Sequence, residues 1–101
     1  MKKTFPLGRV VATRRVWELI NSDELFSNFV SICMSRYIAC DWGALDPEDW
    51  QLNDESVDGE GRLLASYPLP EDIFDVGSDD RLWIITEEDR SVTTILFPGD
   101  Y

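Results

Sequence analysis

The 101-residue sequence contains no histidine. The side chain that most often serves as general base, proton shuttle or metal ligand near neutral pH is therefore missing. Cysteine is scarce: Cys33 and Cys40 are the only thiols, and they form no CxxC pair. On one helix, seven residues would separate them by about 10.5 Å along the axis, too far for a disulfide. Both read as reduced, structural residues. Neither GxxxxGK[ST] nor GxGxxG occurs, so the two commonest glycine-rich phosphate cradles are excluded. No apolar run approaches the roughly 20 residues needed to cross a bilayer. The opening MKKTFPLGRVVATRR carries two lysines, but Pro6, Gly8 and Arg9 interrupt any apolar signal segment. The expectation is a cytoplasmic protein without membrane segment, cofactor or metal centre.

Positive charge is scarce in one half of the chain. Twenty acids against nine bases give a net charge of −11. Residues 1–40 hold six bases and three acids, whereas residues 41–101 hold seventeen acids and three bases, Arg62, Arg81 and Arg90. Such a field repels nucleic acid and anionic membranes and attracts basic surfaces within about one Debye length. What is abundant is core material. Apolar residues make up 44% of the chain and twelve residues are aromatic, enough for one domain spanning 1–101.

Patterning predicts the order β-ααα-βββ, an α+β two-layer sandwich with a small, mainly antiparallel sheet packed on helices. Residues 7–13 (LGRVVAT) are short and β-branched, a first strand. Thr13 is placed to cap a short helix whose Val16, Trp17 and Ile20 share a face. Ser22 then caps a second helix, in which Leu25, Phe26, Phe29, Val30, Ile32, Cys33 and Tyr37 cover more than half the circumference, as in a central buried helix. Asp46-Pro47 opens a third helix over 47–57. Strands follow at 62–67, 81–87 and 91–97, and a meander of these three is the simplest arrangement. The acidic stretch 71–80 is expected to be a loop pinned by Phe74. In the last two strands, Leu82, Ile84, Val92, Thr94 and Leu96 are assigned to one alternation. Trp83, Ile85, Thr93, Ile95 and Phe97 fall on the other, so both faces of the hairpin should be covered.

The candidate functional residues are mostly acids. Glu48, Gln51, Glu55 and Asp58 line one side of the third helix, a pattern that also describes an ordinary wet helix face. Glu71, Asp72, Asp75, Asp79 and Asp80 crowd the long loop, and Glu87, Glu88 and Asp89 form the tip of the last hairpin. No D-x-D-x-D-G pattern organises any of them for calcium. Carboxylates spread over a helix and loops can stand in for phosphates, which on duplex DNA occur about once per 1.7 Å of axis. Of four tryptophans, Trp17 and Trp83 are assigned to the core. Trp42 and Trp50 are equally suited to the core or to anchoring a protein interface. The basic residues near the N-terminus are too few to make the chain itself a nucleic-acid binder.

Four segments carry a resemblance: LGRVVAT at 7–13, DWGAL at 41–45, RLLASY at 62–67 and WIITEEDRSVTTILFPGDY at 83–101. In these the chain resembles a family of small proteins encoded on bacterial plasmids and integrative conjugative elements, often labelled "plasmid-related protein". Residues 14–40 and the 70–80 loop depart from that pattern. The resemblance implies a mobile-element setting and no catalytic residues. Inhibitors of host defence, including anti-CRISPR and anti-restriction proteins, are frequent in that setting, and some mimic DNA. The leading expectation is a non-enzymatic acidic protein, monomer or weak dimer, that occupies a Lys/Arg-lined nucleic-acid site on a protein effector such as a CRISPR-Cas complex. The partner-binding set is Trp42, Glu48, Trp50, Glu55, Asp58, Glu71, Asp72, Asp75, Asp79, Asp80, Glu87, Glu88 and Asp89. The alternatives are a structural or regulatory accessory protein of a mobile element, joined through an exposed sheet edge, and a small carboxylate-dependent enzyme.

Overall fold

A computed structural model describes residues 4–70 and 79–101. Glu71, Asp72, Asp75 and the Phe74 anchor lie outside the described residues. Along the chain come β1 (Arg9–Ala12), α1 (Arg14–Ser22), α2 (Glu24–Ile38), α3 (Pro47–Val57), β2 (Leu63–Pro68), β3 (Arg81–Thr86), β4 (Val92–Leu96) and a 3₁₀ turn at Pro98–Asp100. The order β-ααα-βββ and the α+β class are as the sequence pattern predicts. The sheet runs β1-β4-β3-β2. Antiparallel β2–β3 and β3–β4 pairs make the expected meander, and β1 adds to β4 in parallel.

The register Ile84↔Ile95 and Thr86↔Thr93 corrects the expected division of the hairpin faces. Leu82, Ile84 and Thr86 share the helix-facing side with Thr93, Ile95 and Phe97. Trp83, Ile85, Thr94 and Leu96 form the other side. Ile85 and Leu96 on that second side are nonetheless buried. There the ring of Tyr101 meets Trp83 edge-on at 6.0 Å, and the Arg62 guanidinium stands over the Tyr101 ring.

Against the first side pack Val16 of α1, Phe26, Val30, Cys33 and Tyr37 of α2, Trp42, and Val57 of α3. The α2 set recurs at i, i+4, i+7 and i+11, one stripe of a 3.6-residue period. The helix is therefore buried on one side only, because Leu25 and Ile32 are exposed. Trp17, expected in the core, is 59% exposed. The inward side of α1 is Val16 with the partly buried Leu19 and Ile20, and Trp17 projects about 100° around the axis from Val16.

Two caps also differ from expectation. Asp23, not Ser22, caps α2: its carboxylate accepts the Leu25 and Phe26 N–H groups, while its own N–H closes α1 on the Leu19 carbonyl. A single residue thus ends one helix and starts the next. Thr13 occupies the α1 N-cap, but its hydroxyl donates to Asp100 instead of capping.

The outer edge of β2 is closed by two devices. The Asn53 carboxamide donates to the Leu64 carbonyl and accepts the Leu64 N–H, taking the place of a strand. One residue pair along, Ser66 donates to Trp42 O and accepts from the Ala44 N–H. Gly43 lies between at φ +78, against the Ser66 carbonyl, where a Cβ would collide. This edge cannot accept another chain without losing those bonds.

Candidate functional site

The acidic residues are carried by α3 and the β3–β4 turn. Pro47 holds the first position of α3, where no N–H is required, and Glu48 and Asp49 lie in the first turn beside the positive end of the helix dipole. Asn53 and Val57 are buried against the sheet, which turns Glu48, Gln51, Glu55 and Asp58 to solvent, all four exposed as the helical spacing implies. From Glu48 to Asp58 is about 15 Å of helix axis. Four exposed acids, Glu48, Asp49, Glu55 and Asp58, fall in that length. That is about one per 4 Å, near the 3.4 Å axial spacing of phosphates on one DNA strand.

The β3–β4 turn is tied to the far end of α3 by a residue not expected to matter, Arg90. Its Nη2 donates to the Ser56 carbonyl at 2.5 Å, and its Nη1 donates to the carbonyls of Gly61, Glu87 and Glu88 at 2.7, 3.1 and 3.2 Å. One guanidinium therefore satisfies carbonyl groups at the C-terminal end of α3 and others in the turn. It also places a positive charge where the helix dipole is negative. The Arg90 backbone has φ 60, a left-handed conformation, and closes the turn with its N–H on the Glu87 carbonyl at 2.9 Å. Glycine usually fills such a position in hairpin loops. An arginine there is the one local signal that could have revealed the contact.

The clamp ties the chain that carries Asp58 and Glu60 to the turn that carries Glu87, Glu88 and Asp89. Hydrogen bonds from Ser91 hold the Asp89 carboxyl below the usual carboxylate range, and it accepts the Ser91 N–H at 2.9 Å. Asp79 and Asp80 are not part of this group. They precede β3, whose length places them roughly 20 Å from the turn. Asp79 points inward, accepting from Arg15 and the Gly99 N–H at 3.0 Å each. Asp80 is exposed and pairs with Arg81 at 3.1 Å.

Trp42 belongs to the core: it is fully buried, edge-on to Tyr37, with its indole N–H donated to Asp54 at 2.9 Å. Trp50 is partly buried. With Leu45, Pro47, Gln51 and Asp54 it lines an open groove of about 340 Å³.

Little of the remaining chemistry is reactive. Burial pushes the Cys33 thiol up to about 12, only partly offset by Arg36, so it carries almost no thiolate at neutral pH. Burial likewise raises the Tyr37 phenol to about 12 and Tyr67 further still. Among the described residues no three of His, Cys, Asp and Glu are grouped to hold a metal ion, and no described helix is long and apolar enough to cross a membrane. Comparison with family models, with curated proteins and with solved structures finds no match.

Proposed function

We propose that this protein is a non-enzymatic binding protein whose acidic face occupies a Lys/Arg-lined nucleic-acid site on a protein effector, in the manner of a DNA mimic. The observation that carries this reading is the Arg90 clamp. It ties two acidic segments, the α3 end and the hairpin tip, to each other at the C-terminal end of a helix that carries further carboxylates. A preorganised charge array binds with less ordering cost than a flexible acidic tail. Effectors of CRISPR-Cas and restriction systems present such basic channels, and inhibition of one of them is the proposed role.

The test is capture of the partner on immobilised protein at about 50 mM salt, followed by challenge with about 300 mM salt or with a short DNA duplex. Binding should weaken about tenfold or more in salt, and the duplex should displace the partner. The combined neutralisation Asp58→Asn, Glu87→Gln and Glu88→Gln should abolish capture, whereas Asp80→Asn should not. A partner held equally at both salts and untouched by duplex would sink the reading.

A second reading is favoured by the exposed Trp17, Leu25 and Ile32 on the helical layer. An accessory protein of a mobile element that binds through these residues would lose its partner on Trp17→Ala and show little response to salt.

A further inference from the structure

A recess of about 290 Å³ lies between α3 and the start of β2, lined by Leu45, Asp49, Leu52, Asn53, Arg62 and Leu64. Asp49, Leu52 and Asn53 stand at i, i+3 and i+4 on one side of α3 and make the helix wall. Arg62 and Leu64 make the strand wall, and Leu45, just before the helix, adds a third leucine to the lining. The two walls are tied together, because the Asn53 carboxamide holds the Leu64 backbone by bonds of 2.6 and 3.3 Å. A preformed recess costs its ligand little reorganisation. Leu52 is 59% exposed, so its apolar side chain is presented to solvent. Charges of opposite sign flank it, Asp49 on the helix wall and Arg62 on the strand wall, both exposed. Among the described residues neither takes part in a salt bridge. Arg62 stands over the Tyr101 ring, 5.6 Å from the centroid, and a guanidinium stacked in this way keeps N–H groups in its own plane for an acceptor.

We infer that this recess docks an aliphatic side chain of a partner protein, flanked on the partner by a basic residue that meets Asp49 and an acidic residue that meets Arg62. The three leucines call for an aliphatic group, and burying one is the favourable term. Charge complementarity selects its neighbours. A phosphate backbone would satisfy Arg62 and be repelled by Asp49, whereas a purely basic segment would satisfy Asp49 and be repelled by Arg62. The inference goes beyond the acidic-face reading, which rests on the α3 end and the hairpin tip. It supplies an apolar contact that a mimic of phosphates alone does not have.

The whole chain, with its leucine methyl groups labelled for NMR, is titrated at low salt with the peptide KALAE, blocked at both ends. The methyl signals of Leu45, Leu52 and Leu64 should move together. The peptide KAAAE, which lacks the aliphatic side chain, should bind about fivefold more weakly. QALAQ, which lacks both charges, should bind about threefold more weakly. Leu52→Ser, at an exposed position where folding is not at stake, should remove the advantage of KALAE over KAAAE. Asp49→Lys should reverse the charge preference, so that EALAE then binds better than KALAE. KAAAE bound as well as KALAE, or a preference that Asp49→Lys leaves unchanged, would overturn the inference. Leucine shifts that appear when the protein alone is concentrated would assign the recess to a second copy and overturn it too. Unmoved leucine methyls, in a protein whose captured partner is released by salt and duplex, would remove the recess and keep the mimicry reading. The expected KALAE response, with a captured partner that ignores salt and duplex, would support the recess and remove that reading.

Discussion

At the hydroxyl of Thr93 the direction of a buried hydrogen-bond chain is fixed by its far end. The Leu7 carbonyl can only accept, so Thr93 donates to it at 2.7 Å. Thr93 must then accept from Thr86 at 2.7 Å, and Thr86 from the Tyr37 hydroxyl at 2.6 Å. One row of three hydroxyls thereby ties α2 through β3 and β4 to the segment before β1. Thr93→Val removes the last hydroxyl of the row and leaves the Leu7 carbonyl and the Thr86 proton without their partner. A loss of about 1–3 kcal/mol is expected in urea denaturation, about 4–8 °C of Tm per kcal/mol. Adding Tyr37→Phe should cost less than its separate effect, because the row is already broken. Asp100 offers a second measurement. Burial alone would push its carboxyl up, but hydrogen bonds from Thr13, the Phe97 N–H and Arg15 outweigh it and hold the group below its ordinary value. Its ionisation therefore stabilises the fold above the unfolded value of about 3.9, and that contribution fades as falling pH protonates the folded carboxyl. Asp100→Asn should be less stable than wild type at pH 7, and the difference should shrink steadily below about pH 4.

Among the elements, the β3–β4 hairpin and α3 depend on one another through Arg90. Lys at this position keeps the charge but presents a single nitrogen where a planar fork now reaches four carbonyls. Arg90→Lys should cost about 1–2 kcal/mol and speed hydrogen exchange at the turn and at residues 56–61, while β2 amides bonded within the sheet remain protected. This clamp shows where local pattern stops being informative. Alternation, proline and glycine make the strands and α3 legible, and the 3.6-residue period exposes Glu48, Glu55 and Asp58 correctly. The inward face of α1 is not legible, because Thr13 and Arg15 fix its roll by bonds to Asp100, 87 and 85 residues away. The same holds for the site. Asp79 is drawn inward by Arg15, 64 residues distant, and Trp42 is held in the core partly by Asp54, so both leave the exposed set for reasons no short window contains.

For the whole molecule, the net charge of −11 acts on stability as well as on binding. Carboxylates held together at the α3 end and the hairpin tip repel one another in the folded chain more than in the unfolded one. Raising salt from about 20 to about 200 mM should therefore raise Tm by a few degrees while weakening association with a basic partner. Scanning calorimetry and binding measured over the same salt series check both trends. Opposite slopes would identify the acids as placed for recognition at some cost in stability.

The parallel pairing of β1 with β4 also sets a timetable. Arg9 meets Val92 and Ala12 meets Ile95, so the partner of the first strand is translated about eighty residues after it. At roughly 5–20 residues per second the ribosome takes about 4 to 16 s to supply it. Until then β1 has no neighbour in its own sheet, while the helices form and β2 and β3 can pair. Cotranslational assembly must therefore finish, not begin, with the N-terminal strand. A nascent chain stalled before residue 92 would present that strand to whatever chaperone or β-edge comes near.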